Sequence, residues 1–169
     1  MKNLKSLFLA AIAALTLGST AASAESQSFI GLGVGSVDMS DQSGVEYDLV
    51  LGGRYFFSED KLSDGIMLGL KTTVGMADLD NIEDNILILD ADIEAGYRYK
   101  QVTVYGFGTI MSNSTDTYQA YGFGGGAGIE YQPWEHVAFT AEYKSVSMED
   151  EAGVEYDYDI AKAYITYKY

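Results

Sequence analysis

No cysteine occurs in the 169 residues, so neither a disulfide framework nor a lipid-anchored cysteine can be built. Bases are scarce as well: 10 Lys and Arg stand against 25 Asp and Glu. A chain of formal charge −15 lacks the clustered Lys and Arg that phosphate binding draws on, so no nucleic acid is expected as a partner. Histidine appears once, at His136, which leaves a multi-histidine zinc site out of reach. Beyond residue 24 no apolar run approaches the ~18 residues that a transmembrane helix requires. Aromatics are plentiful. With 14 Tyr and 7 Phe, this acidic chain differs from disordered acidic tails and is expected to fold.

The compact apolar run that does exist lies at the start. Lys2 and Lys5 flank the entry to LFLAAIAALTL, Leu7 to Leu17, and Ala22-Ser23-Ala24 follows with small residues at a cleavage spacing. That is the pattern of a secretory signal peptide, too short for a spanning helix. Residues 1–24 are expected to be removed, leaving 25–169 as a single domain.

Glycine is concentrated in YGFGGGAGIEYQP, residues 121 to 133, where Gly122, Gly124 and Ala127 match the spacing of a dinucleotide-binding fingerprint. That motif requires a strand before it and a helix opening inside it. Here Tyr121, Phe123, Ala127, Ile129 and Tyr131 alternate with Gly122, Gly124, Gly126, Gly128 and Glu130 up to Pro133. A period of two is the pleat of a β-strand, so the stretch reads as a strand with glycine on one face.

The same alternation recurs. Ile30, Leu32 and Val34 oppose Gly31, Gly33 and Gly35; Tyr47, Leu49, Leu51, Tyr55 and Phe57 oppose Asp48, Gly52 and Arg54. Ile66, Leu68, Leu70, Val74 and Met76 oppose Gly69, Lys71, Thr73 and Gly75. Leu87 to Tyr99 on odd positions oppose Asp90, Asp92, Glu94, Gly96, Arg98 and Lys100. Phe139, Ala141 and Tyr143 oppose Thr140, Glu142 and Lys144, and Ala163 to Tyr169 oppose Lys162, Tyr164, Thr166 and Lys168. With 102–112, whose facing stays ambiguous, this makes eight strands of about ten residues, the length that crosses a bilayer when tilted. Three strands share Gly-x-x-Tyr, at Gly52–Tyr55, Gly96–Tyr99 and Gly128–Tyr131.

A soluble sandwich would alternate too. A membrane barrel is favoured because charge and glycine share one face, as a narrow interior demands. Aromatics also gather at one end of the strands (Tyr55, Tyr97, Tyr99, Tyr131, Tyr167), with a thinner set near the other end (Tyr47, Tyr121). Arg54, Lys71, Asp90, Asp92, Glu94, Arg98, Glu130, Glu142, Lys144 and Lys162 are then expected to point inward and to pair, because an isolated buried charge is costly. A simple hairpin places Lys71 near Asp90, and Arg98 is placed to meet Glu130 across the lumen. Glycine on the first and sixth strands leaves room for a cavity.

With its leader, its eight alternating segments and its end AYITYKY, the chain resembles the small eight-stranded outer-membrane β-barrel family of the OmpA membrane domain and OmpX. The resemblance covers residues 25–169. It implies an all-β, antiparallel, up-and-down transmembrane barrel in the bacterial outer membrane, with both termini in the periplasm; the cell-wall tethering of longer relatives is not implied. It further implies that Ile165, Tyr167 and Tyr169 form the signal read by the outer-membrane assembly machinery, although the family's usual last residue is phenylalanine. Outer loops are expected at 38–46, 77–84, 112–118 and 148–157. Their acids, among them Asp38, Asp41, Glu46, Asp116 and Glu149, come without a Lys or Arg. The acids solvate the surface. Carboxylate oxygens also suit divalent cations beside lipopolysaccharide, although no calcium-loop consensus is present.

The enzymes of similar barrels act on lipid A with a histidine base in His-x-Ser, but here His136 precedes Val137-Ala138 in a turn. No catalytic residue, cofactor or resident metal is therefore expected. The sequence reads as a monomeric, non-enzymatic barrel with a structural or surface-interaction role, the alternative being a narrow passage for ions or small hydrophobic molecules.

Overall fold

The computed structural model describes residues 25–39, 42–57, 64–80, 85–115 and 119–169. The expected leader, residues 1–24, and the acids Asp41, Glu83, Asp84 and Asp116 lie outside the described residues. Eight strands form one closed antiparallel barrel in chain order. They are β1 (Glu25–Met39), β2 (Gln42–Phe57), β3 (Gly65–Leu79), β4 (Ile86–Tyr99), β5 (Val102–Ser114), β6 (Gln119–Trp134), β7 (Val137–Asp150) and β8 (Glu155–Lys168). β8 pairs with β1, from Phe29 opposite Lys168 to Met39 opposite Tyr158, so the sheet has no free edge.

The register fixes the shape. Stepping from partner to partner round the wall, Tyr47 leads to Val34, Ala163, Ala141, Ile129, Val104, Tyr97, Ile66 and back to β2 at Phe57. The circuit closes ten residues further along β2 (57 − 47), which is the shear of the barrel. With ~3.3 Å per residue and ~4.8 Å between strands, eight strands of that shear tilt by roughly 40°.

The alternation read from the sequence is the alternation of burial. Ile30, Leu32, Val34, Ile66, Leu68, Leu70, Ile93, Ile129 and Ile165 are exposed on the outer wall, while the charged positions between them are buried. β6 runs unbroken through its glycines, which removes the nucleotide-loop reading. β5 settles the ambiguous facing. Thr103, Tyr105, Phe107, Thr109 and Met111 turn inward, and Val104, Gly106, Gly108 and Ile110 turn outward. Lys100, expected on the inner face, instead occupies the β4–β5 turn with φ 55° and is exposed.

The strands are 13 to 16 residues long, so much of what is described of the expected outer loops is strand. β1 reaches Met39 and β2 begins at Gln42; β7 reaches Asp150 and β8 begins at Glu155. Outward apolarity stops at the edge of the lipid-facing band, whereas hydrogen-bonded pairing continues past it. The inner face stays apolar there, in a cluster that includes Leu79, Ile86, Ile88, Met111, Met148 and Ile160. That cluster holds the protruding strand ends together.

Candidate functional site

Among the described residues, barrel closure brings thirteen charged side chains together in the lumen, each at most 5% exposed: seven carboxylates and six cationic groups. Taking such groups out of water is tolerable only if each finds partners. At the end where β1 begins and β8 ends, Arg54 on β2 reaches Glu94 on β4 (Nε to Oε2, 2.6 Å) and Glu130 on β6 (Nη1 to Oε2, 2.5 Å). Lys168 on β8 also binds Glu130 and donates to Gln132. Arg98 lies over the Phe56 ring at 3.1 Å.

One layer further in, Lys71 on β3 meets Glu142 on β7 at 2.6 Å and Asp92 on β4 at 3.0 Å. Tyr105 donates to Glu142 at 2.5 Å, and Lys71 donates to Tyr164 at 3.1 Å. Lys144 holds Asp90 (2.6 Å) and Asp92 (3.2 Å). Lys162 holds Asp48 (3.0 Å) and Glu46 (3.2 Å), and Tyr158 donates to Glu46 at 2.6 Å. Above this polar layer sits the apolar cluster of the protruding strand ends, in which Val37, Ala77, Ala120 and Val146 also take part.

Glycine leaves no hole. A Cβ at Gly126 would meet the Phe107 ring at 2.5 Å, and one at Gly128 would meet the Tyr105 ring at 2.6 Å. One at Gly52 would strike Phe29. The inner glycines thus admit the rings of β1 and β5. The cavity expected beside β6 is filled by Tyr105 and Phe107. Gly-x-x-Tyr reads the same way: its glycines face the lumen, and its tyrosines stand on the outer side near the terminal end.

All ten charges expected in the lumen are there, but two pairings differ. Lys71 is the register partner of Asp92, two residues from the expected Asp90, which Lys144 takes instead. Glu130, the expected partner of Arg98, is held by Arg54 and Lys168, and Arg98 lies over the Phe56 ring. Three further luminal charges were not among those ten: Asp48 and Lys168, which the alternation puts on the polar face, and Glu46. Glu46 had been placed in an outer loop, yet it shares its phase with Asp48 and Arg54, and Lys168 shares the phase of Lys162; that periodicity was the available signal. Asp150, also placed in a loop, shapes the β7–β8 turn by accepting the N–H groups of Ala152 and Val154 at 2.8 Å each. His136 stacks on Tyr167 with centroids 5.6 Å apart, and its Nδ1 lies 3.0 Å from the Lys168 carbonyl oxygen. Among the described residues no three His, Asp or Glu side chains converge as a multivalent metal site would require.

Residues 7–169 match the family model for the outer membrane protein beta-barrel domain. Among solved structures, the chain is similar to Neisserial surface protein A, at 11% identity over 86% of this chain and 99% of that one, with a TM-score of 0.52. It is also similar to Ail, the attachment invasion locus protein of Yersinia pestis, at 15% identity over 86% and 99%, with a TM-score of 0.49. No curated protein sequence matches the chain. The closed barrel, its inward charges and a family match over nearly the whole length agree: the chain belongs to the outer membrane protein beta-barrel family, and its place is the bacterial outer membrane.

Proposed function

We propose that the protein is a non-enzymatic barrel with a structural and surface-interaction role, closed to ions, with its termini in the periplasm. The observation that carries this reading is the filling of the lumen. Ion pairs span its middle, and the apolar cluster around Ile88, Met111, Met148 and Ile160 seals it on the far side. A dry apolar constriction opposes the passage of ions, which disfavours the narrow-pore alternative. The non-enzymatic reading is supported by His136, the chain's single imidazole, which stands at the terminal end against Tyr167 and the Lys168 backbone.

The role lies on the outside. Asp38, Asp78, Asp80, Glu149, Glu151, Glu155 and Asp157 are exposed at the far end of the strands, facing the cell exterior in this orientation. Such a surface repels other anionic surfaces and, through divalent cations, bridges to lipopolysaccharide phosphates. Ile165, Tyr167 and Tyr169 are exposed on the outer wall of the last strand, where the assembly machinery reads them. Planar bilayers containing refolded protein test the closed lumen. Wild type and Arg98→Ala should both be silent, because loosening one end leaves the apolar seal intact. Steady cation-selective steps from the wild type would replace this reading with the pore.

A further inference from the structure

Among the described residues the thirteen luminal charges leave one carboxylate in excess, and the excess is local. On the side toward the apolar seal, Glu46, Asp48, Asp90 and Asp92 share Lys144 and Lys162, with Lys71 shared in turn with Glu142. Asp48 gives Oδ2 to Lys162 and Asp90 gives Oδ2 to Lys144. Their Oδ1 atoms have no hydrogen-bond partner, and neither does the Thr73 hydroxyl. Thr73 is 1% exposed and faces the lumen from β3. It is the direct register partner of Asp90 on β4, and Asp48 on β2 is partnered with Gly75, two residues along the same face. Residue 75 is glycine, and a Cβ there would stand 2.4 Å from Asp48 Oδ1, so that oxygen reaches into the room the missing side chain leaves.

Three buried oxygens on three adjacent strands, two of them on carboxyl groups, are costly if left without a partner. Water would satisfy their hydrogen bonding and leave the excess charge, whereas a proton or a bound cation removes it. The geometry points to a monovalent alkali cation held by Asp48 Oδ1, Thr73 Oγ1 and Asp90 Oδ1, which neutralises the lumen. Two carboxylates already engaged by lysines, with one hydroxyl, supply too little negative charge for a divalent ion but suit a single positive one. The cation is structural. It sits beneath the apolar seal and ties β2, β3 and β4 together.

The test is the cation dependence of unfolding for refolded protein in neutral lipid vesicles, in sodium, potassium or N-methylglucamine chloride at equal ionic strength. The urea midpoint of the wild type should be higher in an alkali chloride than in N-methylglucamine, and should saturate as the alkali ion replaces it. Thr73→Ser should keep that rise and Thr73→Val should lose it, while both keep the acidic outer surface that any unspecific cation effect would use. Crystals soaked in thallium(I) should show an anomalous peak between Asp48, Thr73 and Asp90, a readout that does not depend on either variant folding. Equal midpoints in all three salts, an undiminished rise in Thr73→Val, or thallium found only elsewhere would overturn the site.

Discussion

A single residue can carry several strands in this molecule. Lys71, from β3, binds carboxylates on β4 and β7 and donates to a tyrosine on β8. Lys71→Met preserves length and bulk but takes the cation from buried Glu142 and leaves Asp92 to Lys144 alone. Loss of one partner from a buried pair costs about 3–5 kcal/mol. Adding Glu142→Gln should recover part of that loss, because one stranded charge is then gone. Urea unfolding in lipid vesicles checks both, and equal stability of wild type and Lys71→Met would mean that the lumen is wet enough to solvate the acids. Glycines make the complementary case. A Cβ at Gly124 would run into the backbone of Ser145 and Val146, whereas one at Gly108, on the outer wall, would meet nothing within 4 Å. Gly124→Ala should therefore destabilise by about 1–3 kcal/mol through overpacking. Gly108→Ala should be neutral, or stabilising by up to about 1 kcal/mol through a less flexible unfolded chain. The same vesicle titration separates them, and matching effects would contradict the assignment of faces.

At the scale of the element, facing was legible and length was not. The alternation in β2, β3, β4, β6, β7 and β8 placed Arg54, Lys71, Asp92, Glu130, Glu142 and Lys162 inside before any fold was known, because charge and apolarity differ strongly in phase. β5 was opaque for a physical reason: its inner face carries Tyr105 and Phe107, and its outer face carries Gly106 and Gly108, reversing the usual contrast. Those rings face the glycines of β6, a pairing visible only once the strands are laid side by side. Strand ends were misjudged because outward apolarity reports the lipid and not the hydrogen-bond ladder. The pairings of Lys71 and Arg98 could not be read at all, since they depend on a register offset of two residues and on partners across the barrel. One short connection adds its own prediction. Lys100 holds φ 55°, a conformation that non-glycine residues other than Asn and Asp rarely adopt, while its N–H donates to Asp64 at 3.0 Å. Lys100→Asn should stabilise the barrel by up to about 1 kcal/mol, read as a higher urea midpoint. A lower midpoint would show that the contact of Lys100 with the Tyr99 ring outweighs the backbone strain.

The whole molecule is a sheet turned inside out relative to a soluble protein, with charge in the middle and apolar side chains on the wall. Its lack of cysteine makes that arrangement directly measurable, because every introduced thiol is unique. Outward positions of β4 descend from Leu87 through Leu89, Ala91, Ile93, Ala95 and Tyr97 to Tyr99, and Ile93 is 70% exposed midway down the wall. Single cysteines at these sites carry nitroxide labels, in refolded protein in lipid vesicles, for collision with molecular oxygen, which concentrates in hydrocarbon, and with a nickel chelate, which stays in water. The account predicts that oxygen accessibility peaks at residue 93 and falls toward residues 87 and 99, with nickel accessibility the inverse. Nickel accessibility that stays high along the whole series would place this wall in water and contradict the transmembrane barrel.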